Sequence, residues 1–343
     1  MSASAQARER IEAAHRFGAS YRGGLANHYP MAIAALDSMG ASDADLDAFD
    51  AHYLPQLEPI QRAVVVIQPG DEAAHLGSPR AFPEWVAYFE TAIAQDGLEP
   101  VLRRWVDRLM PAIVAGGFHG AIRTAFAIES GAQGEIAHAL AYWCSSYRAL
   151  PAAPEPAGTL SPDEVLDRLF RDPGLAGQRP PGNGITQRAV AAARAPDFAV
   201  HVRSLDSNQL ALDGIARALL RAYAASGDFT LLHCVTGAHA FRLLGPYASD
   251  SSAALTDLWA AMVAAYIGTG APSPHGWSLE RDDTLDWPTI HARAVKRDDE
   301  HDIKLAYSCW REWQHRGDDL YRRAASARVG GPSPRPSPKA EGG

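Results

Sequence analysis

Apolar residues recur along most of the chain at the three- and four-residue spacing of amphipathic helices. In residues 99–115, for example, this spacing aligns Leu102, Trp105 and Leu109 on one helical face. The same periodicity appears at 30–39, 84–95, 120–129, 134–149, 163–170, 185–194, 208–225, 229–244, 254–267 and 287–325. No sustained two-residue alternation between hairpin turns is found, so strands are not predicted. The pattern therefore predicts an all-α fold, a compact bundle of many helices.

Two stretches rich in proline and glycine interrupt this pattern near the middle of the chain, at 151–162 and 172–184. They either separate two helical halves, 1–150 and 185–325, or form long loops over one domain. We predict a single all-α domain over 1–325 that contains both halves.

The end of the chain loses the helical pattern. Residues 326–343 read SARVGGPSPRPSPKAEGG and are rich in proline, serine and glycine. This composition predicts a disordered tail without catalytic function.

Composition and charge exclude several classes of protein. The 343 residues carry a net charge of −8, whereas a general nucleic-acid binder needs a basic surface. No uncharged apolar run of about 18 residues is present, and residues 1–12 do not resemble a signal peptide. The three cysteines (Cys144, Cys234, Cys309) are too far apart to form a disulfide framework or a metal motif. We therefore expect a cytoplasmic protein without nucleic-acid or membrane partners.

Lysine is unusually rare in this chain. Of the 32 basic residues only Lys296, Lys304 and Lys339 are lysines, and the other 29 are arginines. Lys304 alone lies within an apolar helical stretch. A buried ammonium, unlike a guanidinium, can lose its proton, and the neutral amine can react with carbon dioxide to form an anionic carbamate. Lys304 is thus a candidate for chemistry that arginine cannot perform.

The standard loops for nucleotide binding, GxxxxGK[ST] and GxGxxG, are absent, as are HExxH and GxSxG. Candidate chemistry therefore rests on the histidines. Four neighbourhoods stand out: NHYPM around His28, GGFHG around His119, LLHCVTGAHAF with His233 and His239, and DDEHDIKLAY with His301 and Lys304.

Two of these neighbourhoods carry paired candidates. His233 and His239 point about 120° apart on a helix, so both cannot face one site, and their spacing does not decide between them. His301 and Lys304 are three residues apart and share one helical face. The acidic residues before His301 are alternatively a helix N-terminus stabilised by the macrodipole, with Lys304 paired to Glu300. Imidazoles with one oxygen anion suit iron, zinc or copper.

Together, four blocks resemble the questin oxidase-like family of fungal aromatic polyketide pathways and of many bacteria. The blocks are NHYPMAIAAL (27–36), GGFHGAIRTAFAIE (116–129), LLHCVTGAHAFRLL (231–244) and DDEHDIKLAYSCWRE (298–312). The resemblance implies an oxidoreductase, a non-haem iron oxygenase that uses O2 to open the ring of an anthraquinone- or hydroquinone-like substrate. It also implies NADPH as a transient reductant.

The resemblance further implies a buried mononuclear iron site with four histidines and a carboxylated lysine. The metal ligands would be His28, His119, His233, His301 and Lys304. His233 is preferred to His239 because it opens the His-x-Val-Thr element. His239 and Tyr307 would then be catalytic residues beside the metal. Aromatic residues of the blocks and neighbouring helices either line a substrate cavity or pack in the core: Tyr29, Phe118, Tyr307, Trp143 and Trp259.

Two other functions compete with this interpretation. His301-Asp302 is an HD dipeptide in an all-α chain, which suggests a metal-dependent phosphohydrolase with Asp302 as a ligand. On a helix, however, Asp302 projects about 100° away from His301. The second alternative is a non-enzymatic helical scaffold whose histidines are structural.

Overall fold

The computed structural model describes residues 3–276 and 284–331. Within these residues the chain forms sixteen α-helices and one short hairpin. The helices are α1 Ala5–Ala13, α2 Tyr29–Ser38, α3 Asp43–Tyr53, α4 Phe82–Asp96, α5 Leu98–Leu109, α6 His119–Ser130, α7 Gln133–Ser145, α8 Pro162–Arg171, α9 Ile185–Ala193, α10 Phe198–Arg203, α11 Leu212–Ser226, α12 Phe229–Leu244, α13 Ser251–Gly268, α14 Trp287–Ala294, α15 Glu300–Arg316 and α16 Asp319–Gly330. The predicted helical fold is confirmed.

The periodicity predicted neither the helices α1, α3 and α10 nor the short hairpin. The strands of the hairpin, β1 Ser20–Tyr21 and β2 Leu25–Ala26, are antiparallel, with Tyr21 opposite Leu25. Each strand has only two residues, which is too short for a two-residue alternation to be visible in the sequence.

The predicted helical stretch 287–325 is divided into α14, α15 and the start of α16. α15 ends at Gly317, whose φ of 67° is left-handed and favours glycine. α16 then continues to Gly330, with Ser326 and Val329 buried. The prediction that the disordered tail begins at 326 is therefore wrong for residues 326–330, because packing in the core maintains the helix. Residues 332–343 lie outside the described residues.

Four helices form a closed ring in the core. α2 packs against α6 and α15, and α12 packs against the same two helices on the opposite side. α12 is buried on nearly all sides from Thr230 to Phe241, as expected for a central helix without a polar face. The ring joins helices from both predicted halves of the chain. None of the helices in the described residues combines the length and the hydrophobicity required to span a bilayer.

Candidate metal centre

The N-terminal part of each ring helix carries one histidine. His28 is the N-cap residue of α2, and His119 is the first residue of α6. His233 lies in the second turn of α12, and His301 is the second residue of α15. Because the four helix starts lie side by side, four distant positions in the sequence reach one point in the core.

Local backbone features fix two of these helix starts. The backbone N–H of His28 donates to the hydroxyl of Tyr53 at 3.0 Å. α6 follows a turn in which Gly116, Gly117 and Phe118 all have left-handed φ values of 58°, 67° and 70°. Two of the three residues are glycines, which adopt this conformation without strain. The turn directs His119 into the ring of helices.

The four imidazoles lie in a closed circle, in which each one is next to two others. Their centroids are 4.4 Å apart for His28 and His119, 4.8 Å for His119 and His233, 5.3 Å for His233 and His301, and 4.8 Å for His301 and His28. All four side chains are buried. The ring of Phe229 lies 4.6 Å from His233 and 4.8 Å from His301 and adds an apolar wall. We call the four residues the histidine cluster.

Each imidazole of the histidine cluster presents Nδ1 to an oxygen acceptor. The acceptors are Glu300 Oε1 for His28 at 3.0 Å, Gly116 O for His119, Phe229 O for His233 at 2.8 Å, and Asp299 Oδ1 for His301 at 3.0 Å. An oxygen acceptor keeps the proton on Nδ1 and leaves Nε2 with a lone pair. Metal-binding histidines are held by carboxylates and carbonyls in this same manner.

The opposite nitrogens come together inside the cluster. His119 Nε2 and His233 Nε2 are 3.2 Å apart, and one ring nitrogen each from His28, His119 and His301 lie within 4.8 Å of one another. Two nitrogens bound to one metal ion at about 2.1 Å are roughly 3.0–3.4 Å apart. His28 Nε2 is buried without a hydrogen-bond partner in the described part of the chain, which is unfavourable unless a ligand binds there. These residues fit one metal ion.

Three of the four imidazoles favour the neutral form, which is the form that binds metals. Burial lowers the pKa of His28, His119 and His233 well below the usual range, and the neighbouring imidazoles and the Lys304 ammonium lower it further. Neutral imidazoles need not lose a proton before they coordinate a metal.

Lys304 lies beside the histidine cluster. It is one helical turn after His301 on α15, and its side chain is among the largest that are fully buried. Its positive charge lowers the pKa of three of the four imidazoles. Lys304 is therefore close enough to these imidazoles for its charge to act on them.

His239 lies elsewhere on α12 and has a different state. Its Nδ1 is 3.0 Å from Glu312 Oε1, and its Nε2 is 3.5 Å from Glu129 Oε2. Burial alone would lower its pKa, but the two carboxylates raise the pKa of His239 to about 9. His239 is therefore an imidazolium at neutral pH and has no lone pair to offer a metal. The geometry separates His233, in the cluster, from His239.

Tyr307 belongs to the surroundings of His239. Their ring centroids are 6.1 Å apart, and the Tyr307 hydroxyl hydrogen-bonds with Glu129. Arg311 donates to Glu129 at 2.8 Å, and Arg242 donates to Glu312 at 2.7 to 3.1 Å. We call this ion-paired group the His239 network. The structure thus brings the two predicted catalytic residues together, but among carboxylates.

Asp302 is in contact with arginine side chains. It is fully buried, forms an ion pair with Arg328, and has Arg297 Nε at 3.7 Å. Two arginines neutralise this carboxylate, whereas the HD interpretation needs it as a metal ligand. The geometry therefore does not favour a phosphohydrolase.

Several supporting residues were not predicted from the sequence. The sequence indicates helix stabilisation as one role for Asp299 and Glu300, and Asp299 is the N-cap residue of α15, but their carboxylates also contact the imidazoles of His301 and His28. The acceptors for His119 and His233 are the backbone oxygens of Gly116 and Phe229, which no side-chain pattern in the sequence indicates. Among the aromatic candidates for a cavity, Trp143 and Trp259 are fully buried and donate their indole N–H to backbone carbonyls. These two residues pack in the core.

Comparison with known proteins identifies the family of this chain. The sequence model of the questin oxidase-like family matches residues 25–309, a range that includes the histidine cluster and Lys304. No curated protein is similar enough to this chain to count as a match. The family match spans well over half of the 343 residues. The chain therefore belongs to the questin oxidase-like family, and this membership indicates an oxidoreductase.

Proposed function

We propose that the protein is a non-haem iron oxygenase that uses O2 to open the ring of an electron-rich aromatic substrate of the anthraquinone or hydroquinone class. The observation that carries the proposal is the closed ring of four buried imidazoles, each held at Nδ1 by an oxygen acceptor. NADPH, acting transiently, is the proposed reductant.

The choice of iron follows from the donor set and the family. Four neutral imidazoles suit zinc, copper and iron alike. Zinc, however, has no redox chemistry, whereas family membership indicates an oxidoreductase. The resemblance of the four sequence blocks to this family favours iron over copper. When bound, iron would supply the activation of O2. The protein would supply four nitrogen ligands from His28, His119, His233 and His301.

Lys304 is proposed as the fifth ligand, in its carbamate form. As an ammonium it adds positive charge next to the place where a cation would bind, which opposes metal binding. Reaction of the neutral amine with carbon dioxide forms an N–C bond and releases one proton. This reaction replaces the positive charge with an anionic oxygen donor. Arginine cannot undergo this change at physiological pH.

The remaining residues of the site hold protons and exclude water. The carboxylates of Asp299 and Glu300 retain the Nδ1 protons of His301 and His28, which makes these imidazoles better electron donors. The Phe229 ring covers His233 and His301 with apolar surface. A dry site strengthens the attraction between a cation and its ligands.

Metal analysis of the purified protein tests the proposal. We expect close to one iron per wild-type chain and O2 uptake with hydroquinone-type substrates. Lys304→Arg and His301→Ala should lose most of the iron and the O2 uptake. His315→Ala, on the same helix but exposed, serves as the matched control and should retain both. Labelled bicarbonate should give a carbamate signal in the wild type that Lys304→Arg lacks.

Other outcomes would overturn the proposal. Full iron occupancy and activity in Lys304→Arg would exclude the lysine as a ligand. Phosphate release that depends on manganese or magnesium would favour the phosphohydrolase. A wild-type protein that binds no metal, with a melting temperature insensitive to chelators, would favour the helical scaffold.

A further inference from the structure

The C-terminal helix α16 lies beyond the family match, which ends at residue 309. It nevertheless packs against α15, α14 and α11. One of its side chains, Arg328, extends to the start of α15, next to the histidine cluster.

Arg328 contacts two buried carboxylates that flank His301. Its Nε donates to Asp302 Oδ1, and its Nη2 lies 3.6 Å from Asp299 Oδ2. The other oxygen of Asp299, Oδ1, accepts hydrogen bonds from the backbone N–H of His301 at 2.8 Å and from its Nδ1 at 3.0 Å. A continuous chain of contacts thus runs from Arg328 through Asp299 to the His301 imidazole.

The charge of Arg328 compensates for the burial of Asp299. Oδ2 of Asp299 is buried and has no hydrogen-bond partner in the described residues, so the guanidinium at 3.6 Å supplies its electrostatic support. A buried carboxylate without a nearby cation is unfavourable and would rotate out of its present position. This rotation would remove the acceptor from the Nδ1–H of His301.

A second arginine holds the end of α16 in place. Arg297, in the loop between α14 and α15, donates to the carbonyl oxygens of Val329 and Gly331 and lies near Asp302. Arg297 and Arg328 therefore approach Asp302 from two segments. These contacts fix the guanidinium of Arg328 relative to the start of α15.

We propose that Arg328 is a positioning residue for the metal centre: through Asp299 it fixes the orientation of His301, so that α16 is an integral part of the site. This inference rests on the proposed metal site. The fork of a guanidinium can serve two carboxylates at once, whereas an ammonium is a single point of charge. Arg328→Lys should therefore retain only part of the effect.

Cobalt(II) is a suitable probe because its visible absorption reports the geometry of its ligands. We would measure cobalt affinity by competition with a chelator in the wild type, Arg328→Met, Arg328→Lys and Asp299→Asn. Loss of such supporting contacts typically weakens metal binding by about 10–100-fold, and we expect roughly 10-fold for Arg328→Met. Arg322→Met is the matched control, because Arg322 lies on α16 but contacts Asp319 and Leu285 O.

The double variant Arg328→Met with Asp299→Asn separates positioning from general stabilisation. If Arg328 acts through Asp299, the second substitution adds little to the first, whereas independent structural effects would add. The inference is overturned if the losses add, or if Arg328→Met binds cobalt with wild-type affinity and absorption. If Arg328→Met fails to fold, wild-type affinity in Arg328→Lys contradicts it equally. A wild type that binds neither cobalt nor iron would instead refute the metal site itself.

Discussion

At the scale of single residues, the site depends on which nitrogen of each imidazole carries the proton. Two of the Nδ1 acceptors are backbone carbonyls, and two are the carboxylates of Asp299 and Glu300. An imidazole whose Nδ1–H donates to a carboxylate gives more electron density to a metal at Nε2 than one whose Nδ1–H donates to a carbonyl. His28 and His301 are therefore expected to be the stronger ligands of the set.

His239 illustrates the opposite environment on the same helix as His233. Its two carboxylate neighbours each have a pKa lowered to about 2, against the effect of their own burial. The His239 imidazolium thus joins α12 to Glu129 on α6 and to Glu312 on α15. Its role in this network is to hold three of the four ring helices together.

The state of His239 predicts a pH dependence of stability. Its pKa is about 9 in the folded protein and about 6.5 when unfolded, so its stabilisation is complete below pH 6.5. His239 contributes up to roughly 3 kcal/mol to the free energy of unfolding, and this contribution is lost as the pH rises through about 9. We would measure the free energy of unfolding in urea at about pH 6 and about pH 9.5. Between these two pH values it should fall more in the wild type than in His239→Gln. Equal losses in both proteins would contradict this assignment.

At the scale of elements, the approach of α12 to the start of α6 sets the distance between His233 and His119. Gly237 of α12 faces Phe118, and a Cβ atom at Gly237 would lie 3.0 Å from Phe118 Cδ1. At this distance the Phe118 ring would have to shift by a few tenths of an ångström. Glycine at this position thus allows the two imidazoles to come within reach of one ion.

Substitution of Gly237 tests this packing. Gly237→Ala should destabilise the protein by about 1–3 kcal/mol through overpacking, and it should also reduce iron content. Gly214→Ala on α11 is the matched control, because its Cβ would meet Pro162 at an ordinary 3.5 Å. Chemical denaturation and metal analysis of both variants give the comparison. Unchanged stability and iron content in Gly237→Ala would show that this contact does not position the imidazoles.

The sequence predicted the helices and histidines of the site better than the residues that hold them in position. Periodicity located the helices of the histidine cluster, and the four blocks identified His28, His119, His301 and Lys304. Spacing alone could not choose between His233 and His239, because the choice depends on which partner helices each face meets. Arg328 gave no signal, since the glycines and prolines that follow it suggested a disordered tail. Only packing against α15 reveals its contacts.

At the scale of the whole molecule, the centre joins distant parts of the chain. Its proposed ligands span residues 28 to 304, and they come from both predicted halves. A metal ion bound by all of them would link all four helices of the ring. Metal binding and global stability should therefore be coupled.

Thermal unfolding measures this coupling. Free iron(II) at a hundredfold excess over the dissociation constant should stabilise the folded protein by about 2.7 kcal/mol, and chelation should reverse the effect. His119→Ala should abolish the response. His52→Ala, which removes an exposed histidine, should preserve it. A metal response that survives in His119→Ala would mean that the ion binds elsewhere.

The central claim is that one iron ion is bound by the four imidazoles of the histidine cluster and by an oxygen of carboxylated Lys304. X-ray absorption at the iron edge of the purified protein tests it most directly, because it counts the ligands of the ion, separates sulfur from lighter donors and detects the outer scattering of imidazole rings. We predict a first shell of light atoms with the scattering of four imidazoles, and one ligand fewer on the iron that Lys304→Arg still binds. A shell that contains sulfur or fewer imidazoles, or one that Lys304→Arg leaves unchanged, would contradict the account.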